Sequence, residues 1–247
     1  MKVDLKLVPC EELDYDVGER MVVIVDVFRA TSVVVTALSI GAKYVLPVEG
    51  IDQAFELKGI LSDVVLAGER NSLKIEGFDF SNSPLELLKS KEELLNKGMI
   101  LTTTNGTRAI LAHSKAKGMI AASFLNIDTS VDFVSSKNDD LLLVCSGANG
   151  RFSMEDFVFC GSFIDRLSLS GKDIELSSGA YVAYKFYKNN VENLKEMIMM
   201  GEHTKNLIRL GFGEDVDFCL RENLYRTLAK AGKLRLNGKD HVIFKAS

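Results

Sequence analysis

At 247 residues the chain is long enough to bury roughly three quarters of the surface its unfolded form exposes. With 47% hydrophobic and 26% charged residues it reads as globular rather than disordered. A formal charge of −4 excludes a general affinity for nucleic acid through the whole surface. Every apolar run is interrupted by a charged residue before the ~18 residues that a bilayer crossing needs, so no membrane role is expected.

Residues 2–8 suit an edge strand. After them, short β-branched runs at 20–26, 43–48, 63–67, 98–103, 118–122 and 139–145 read as strands, with helical patterns at 31–41, 51–61, 84–95, 106–116, 127–136 and 154–168 between and after them. This alternation predicts an α/β fold: a three-layer α/β/α arrangement around a parallel or mixed central sheet. Beyond 170 the pattern turns helical, over 176–188, 191–211 and 214–230, before a closing hairpin at 234–244. No repeat or flexible linker divides the chain, which predicts one domain over 1–247. Ser83 before Pro84 has the form of an N-cap followed by proline in the first helical turn. The connection over 69–83 is longer than compact α/β loops require.

Cysteines at 10, 145, 160 and 219 form no CxxC pair, and the first nine residues lack a secretory apolar core, so a reduced, cytoplasmic protein is expected. The helical C-terminal third offers a face for a homodimer.

Ligands of open α/β sheets bind beyond the carboxyl ends of the strands. Four such ends carry chemistry. The first is Asp26, followed by Arg29, Thr31 and Ser32. Glu69 and Arg70 end the second, whose long loop supplies Asn82 and Ser83. The third runs from Thr102 into Thr103, Thr104, Asn105, Gly106, Thr107 and Arg108. The fourth runs into Cys145, Ser146, Gly147 and Arg151, with Glu155 and Asp156 opening the next helix. Four of the ten arginines thus fall beside glycines and hydroxyls, the composition of an anion site. Carboxylates alone would repel an anion. A hard divalent cation such as Mg²⁺ reconciles them, because it takes one or two carboxylates and a phosphate oxygen. Asp26, Glu69, Glu155 and Asp156 are the candidate ligands or bases.

Each feature has an ordinary explanation: a capping carboxylate at Asp26, a surface ion pair at Glu69–Arg70, a turn at Asn105–Gly106, and helix-dipole complementarity at Glu155–Asp156. Their shared position at strand ends is what favours a site. Covalent alternatives stay open beside attack by a Mg²⁺-bound water, with Cys145, Asp26 or Ser146 as the nucleophile. Cys145 to Arg151 satisfies C-x5-R, the phosphate loop of thiolate phosphatases. Asp26 could form an aspartyl phosphoenzyme, although Phe28 stands where the haloacid-dehalogenase pattern has a second acid. His113, His203 and His241 form no HxH or HExxH pattern, so zinc is not expected. No Walker-type loop or GxGxxG indicates a nucleotide. A non-catalytic binder of phosphorylated or sulfonated acids, or a regulatory protein with a decayed site, are the readings outside enzymology.

Together, VDVFRATS at 25–32, GER at 68–70, SNSP at 81–84, TTTNGTRA at 102–109 and CSGANGRFSMEDFVFCG at 145–161 resemble the 2-phosphosulfolactate phosphatase (ComB) family. The resemblance implies a Mg²⁺-dependent hydrolase acting on (R)-2-phospho-3-sulfolactate in a route to coenzyme M. It further implies Asp26 with Glu155 or Asp156 on Mg²⁺. Thr103, Thr104, Asn105 and the Gly106 amide would hold phosphate, and Arg29, Arg70, Arg108 and Arg151 the anionic groups.

Overall fold

The computed structural model describes residues 1–11 and 16–247. In chain order it forms β1 (Lys2–Lys6), β2 (Met21–Val25), α1 (Ala30–Ser39), β3 (Tyr44–Pro47), α2 (Ile51–Ile60), β4 (Val64–Arg70) and β5 (Leu73–Lys74). There follow α3 (Pro84–Lys89), α4 (Lys91–Leu94), β6 (Gly98–Thr102), α5 (Gly106–Ala112), β7 (Gly118–Ala122), α6 (Ile127–Ser135), β8 (Leu141–Cys145) and α7 (Met154–Leu169). The C-terminal third adds β9 (Glu175–Leu176), α8 (Ser178–Asn190), α9 (Leu194–Met199), α10 (Glu202–Arg209), α11 (Gly213–Cys219), β10 (Ala229–Leu236) and β11 (Lys239–Ala246).

Among the described residues, the strands join one 11-stranded sheet in the order β5, β4, β6, β3, β11, β10, β7, β2, β8, β1, β9. Two parallel blocks, β4–β6–β3 and β7–β2–β8–β1–β9, are joined by the antiparallel pair β10–β11. The sheet is therefore mixed. Strands β2 and β8 are buried along their whole length, which is why they read as continuous apolar runs without alternation. Their side chains still point alternately to two faces. Val22, Ile24, Leu142 and Val144 pack with α1 and α5, while Val23, Val25, Leu141 and Leu143 pack with α6, α7 and α8. On the second face, Leu46, Leu66 and Ile100 form a separate cluster under α2.

The structure departs from the sequence expectations mainly after residue 190. The predicted helix 191–211 breaks at Met200–Gly201 into α9 and α10, and the one over 214–230 ends at Cys219. Residues 229–236 are a strand, and the hairpin expected to close the fold lies in the middle of the sheet, pairing Ala229 with Ala121 and Phe244 with Val45. Burial of Ala229, Ile243 and Phe244 outweighs the helical preference of Ala229, Lys230 and Ala231. Strand β1 is covered by β9 and so is not the edge. The predicted helix 84–95 is split at Ser90 into α3 and α4. Ser83 caps α3 as expected, its side chain accepting from the Glu86 amide with Pro84 in the first turn. Among the described residues, no helix is long and apolar enough to cross a membrane.

Candidate active site

The carboxyl ends of β2, β4 and β6 open onto one cavity of about 380 Å³, lined by Asp26, Arg29, Glu69, Asn82 and Thr103–Asn105. The long 69–83 connection supplies one wall. It doubles back as β5 against the end of β4, and Asn71 and Ser72 turn the chain at positive φ to face the cavity.

Asp26 is buried, and its Oδ1 accepts from the Ala30 amide at 3.0 Å. Burial lifts its carboxyl to about 6; the Ala30 N–H and His203 oppose the shift, while Glu69 and Glu155 add to it. Thr31 and Ser32 do not reach the cavity. Their hydroxyls donate to the Asp26 and Val27 carbonyls and so shape the turn that presents Asp26. Glu69 spans two loops, with Oε1 accepting from Thr104 N and Oε2 from Ser72 N, each at 2.7 Å. Glu155 lies behind the cavity wall, 1% exposed, with Oε1 against His203 Nδ1 at 2.7 Å and Oε2 buried without a partner. Asp156 is a different case. Both its oxygens accept backbone amides, Val27 N and Gly147 N, so it ties the β2 and β8 loops together rather than facing a ligand. Burial, reinforced by Cys145, Glu155 and Asp26, pushes its carboxyl well above the ordinary range.

Gly106 follows from the closeness of two loops. A Cβ there would sit 2.4 Å from Ala30 Cβ and 2.7 Å from Asp26 Oδ2. Thr107 braces the same loop through reciprocal bonds with Thr103. Gly147 adopts positive φ where a Cβ would lie 2.5 Å from the Arg151 carbonyl. Two cavity-lining side chains, Asn82 through Oδ1 and Thr104 through Oγ1, carry buried polar atoms without partners, as does Glu155 Oε2 behind the wall. Such atoms are uncommon in folded proteins unless a ligand, ion or water satisfies them.

A family model described as 2-phosphosulpholactate phosphatase matches residues 7–233. The chain belongs to that family. A relative from Thermotoga maritima named probable 2-phosphosulfolactate phosphatase is 44% identical over 92% of this chain and 93% of its own. Relatives of the same name from Caldanaerobacter subterraneus (42%, 88% and 90% covered) and Clostridium beijerinckii (37%, 91% and 94% covered) are similar along nearly their whole length.

Within this 2-phosphosulpholactate phosphatase family member, only one of the four arginines expected to hold anionic groups lines the cavity. Arg29 does so while nearly fully buried, donating to Asp215 Oδ2 at 2.9 Å and to the Ser72 carbonyl at 3.0 Å, its guanidinium 4.0 Å from the Phe212 ring centroid. Arg70 turns to the backbone, donating to the Glu69 and Glu49 carbonyls and to Thr102 Oγ1. Arg108 stands about 200° around α5 from Gly106 and faces a separate depression shared with Ser146 and Cys10. Arg151 is exposed, its backbone paired with Ala148. Ser83 donates to Asp215 Oδ1 rather than into the cavity.

The thiolate reading does not fit this geometry. Cys145 is buried outside the cavity, its Sγ 3.7 Å from Cys160 Sγ, and that contact together with burial pushes the thiol well above its ordinary value. Cys145→Ser should retain phosphate release within about threefold of wild type. A loss of about a hundredfold or more, with unchanged folding, would restore Cys145 as nucleophile.

Sequence reasoning passed over the opposite wall. Helix α10 contributes His203, Asn206, Leu207 and Arg209, while α11 places Asp215 outside the cavity as the counter-ion of Arg29. The i, i+3, i+4, i+7 spacing of His203, Asn206, Leu207 and Leu210 was the available signal. For His203, burial acts downward, but the hydrogen bond and charge of Glu155 with the charge of Asp26 outweigh it, so its pKa is raised.

Proposed function

We propose that the protein is a Mg²⁺-dependent phosphatase converting (R)-2-phospho-3-sulfolactate to 3-sulfolactate and phosphate, in the manner of a coenzyme M route, and able to take other phosphorylated hydroxy acids. The observation that carries this reading is the meeting of Asp26, Glu69 and the Thr103–Asn105 loop on one cavity of a chain in this family. Free cysteines at 10, 145, 160 and 219 suit a reducing, cytoplasmic setting.

The residues fit the cation. Asp26, Glu155 Oε2 and Asn82 Oδ1 offer hard oxygen donors, two of them unpartnered. Among the described residues no group of three or more His, Cys, Asp or Glu is placed to hold a metal ion by itself, so the reading rests on Mg²⁺ needing only one or two carboxylates and keeping several waters. Bound there, Mg²⁺ would offset the buried negative charge and polarise a phosphoryl oxygen. Thr103, Thr104 and Asn105 hold the phosphate oxygens, and the bare Gly106 leaves Asp26 Oδ2 uncovered. Glu69 fixes the Thr104 and Ser72 amides and so sets the distance between the two loops.

His203 carries the proton. Glu155 occupies Nδ1, so Nε2 is the ring nitrogen that gives a proton to the departing alkoxide as the ester P–O bond breaks. Water forms the new P–O bond; one of its protons stays on phosphate and the other replaces the one His203 gave.

Phosphate release from (R)-2-phospho-3-sulfolactate is the test. Turnover with Mg²⁺ that stops with EDTA and returns on adding Mg²⁺ is expected. Tight binding of the compound without phosphate release would make the protein a binder instead, and turnover unaffected by EDTA would remove the metal from the account.

A further inference from the structure

Three of the four arginines expected to meet the substrate's anionic groups lie elsewhere, and the fourth, Arg29, is already committed. Its charge is balanced by Asp215, it also donates to Ser72, and it is stacked on Phe212, all while 2% exposed. A guanidinium held this way has little charge left to offer. Yet a phosphorylated sulfonic hydroxy acid bears two further anionic groups, and the cavity already contains Asp26 and Glu69. An additional cation on the wall is required.

Arg209 meets that requirement. It lines the same cavity from the last turn of α10, and its guanidinium donates to Asn206 Oδ1 at 2.7 Å, with no carboxylate paired to it among the described residues. Thr204 and Leu207 are buried in the core and fix the rotation of α10, which turns Asn206 and Arg209 toward the wall opposite the Thr103–Asn105 loop. Arg209 itself is exposed, at the mouth rather than the floor. Its position suits the end of a substrate whose phosphate lies deep against Asp26, and its planar fork suits a sulfonate or carboxylate.

We infer that Arg209, oriented by Asn206, is the specificity-determining donor for the distal anionic group of the substrate and takes no part in the cleavage of the ester. The inference rests on the phosphatase reading above and names the residue that selects among phosphate esters.

The test compares wild type, Arg209→Gln and Arg209→Lys on three substrates: 2-phospho-3-sulfolactate, 2-phospholactate (carboxylate, no sulfonate) and glycerol 2-phosphate (neither). For Arg209→Gln on phosphosulfolactate, KM should rise roughly 10- to 100-fold, the effect of deleting a hydrogen bond to a charged group, with kcat nearly unchanged. Arg209→Lys should recover part of that loss. Glycerol 2-phosphate should be turned over equally by all three proteins. A KM change on phosphosulfolactate alone assigns Arg209 to the sulfonate, and the same change on phospholactate assigns it to the carboxylate. An equal loss on glycerol 2-phosphate, or a loss confined to kcat, overturns the inference while leaving the phosphatase reading intact. Wild-type protein that releases phosphate from glycerol 2-phosphate but not from either organic acid overturns the inference together with phosphosulfolactate as the substrate.

Discussion

Asp26→Asn should abolish Mg²⁺-dependent turnover, by about a thousandfold or more, and at the same time make the metal-free protein more stable. The two effects share one cause. Burial raises the Asp26 carboxyl from 3.8 to about 6, with Glu69 and Glu155 adding to the shift, so the folded chain holds this proton more tightly than the unfolded chain does. A raised carboxylate contributes stability that is fully present below the unfolded pKa and is lost as pH rises through the folded one. For Asp26 that loss occupies the window from about pH 4 to about pH 6 and amounts to on the order of 2–3 kcal/mol. Asparagine does not ionise and escapes the loss. In EDTA at pH 7.5 the variant should therefore melt several degrees above wild type, since 1 kcal/mol moves a chain of this size by about 2–4 °C. Near pH 4 the difference should close. Mg²⁺ should raise the melting temperature of wild type and leave that of the variant unchanged. Equal melting temperatures at pH 7.5 would mean that burial does not penalise the ionised Asp26 carboxylate.

Asp215→Ala should be the most damaging change outside the cavity wall. Asp215 is 3% exposed, accepts from Arg29 and Ser83, and receives the Leu85 amide at 3.4 Å. Removing it leaves the Arg29 guanidinium buried with no counter-ion, which typically costs about 3–5 kcal/mol. It also releases α11 from the start of α3. Urea denaturation should show a lowered midpoint, with Asp215→Asn falling between the two because it keeps an acceptor and loses the charge. The double replacement Arg29→Met with Asp215→Leu should recover much of the stability without recovering turnover, since two apolar groups fill the space but no longer hold the Ser72 carbonyl and Ser83 hydroxyl that fix the 69–83 wall. A midpoint close to wild type for Asp215→Ala would show that Arg29 finds solvent or another partner, and the latch between α11 and the strand ends would then carry little.

The alternation of β-branched runs with helical patterns was enough to place Asp26 and Thr103 just beyond strand ends, because those runs fill a buried parallel strand and stop at the polar residue that leaves the sheet, whereas β4 continues past the expected 67 and keeps Glu69 in the sheet opposite Lys74. Ser83–Pro84 was legible for a similarly local reason, since cap and proline act within one helical turn. What proximity in sequence could not settle is direction. Arg108 and Arg151 follow the right strands, but helix rotation and a tight backbone turn leave one facing another depression and the other exposed. Asp156 is adjacent to Glu155 yet is consumed by two amides from loops that meet only in the fold. His203 and Arg209 reach the cavity, and Asp215 reaches Arg29 behind it, through packing of the C-terminal helices over separations of up to 186 residues; the spacing within α10 marks a packed face but not which wall that face joins. The hairpin of β10 and β11 was misplaced for the same reason: its antiparallel pairing was visible, whereas its insertion between β3 and β7 depends on which strands leave an edge open.

The account depends on a phosphate ester and a cation sharing the cavity between Asp26 and the Thr103–Asn105 loop. A crystal structure of the protein soaked with Mg²⁺ and inorganic phosphate measures this directly. Phosphate against Thr103, Thr104 and Asn105, with the cation on Asp26 and Glu155, is the predicted result. Phosphate bound instead in the depression by Arg108 and Ser146, with Asp26 carrying no cation, would contradict it.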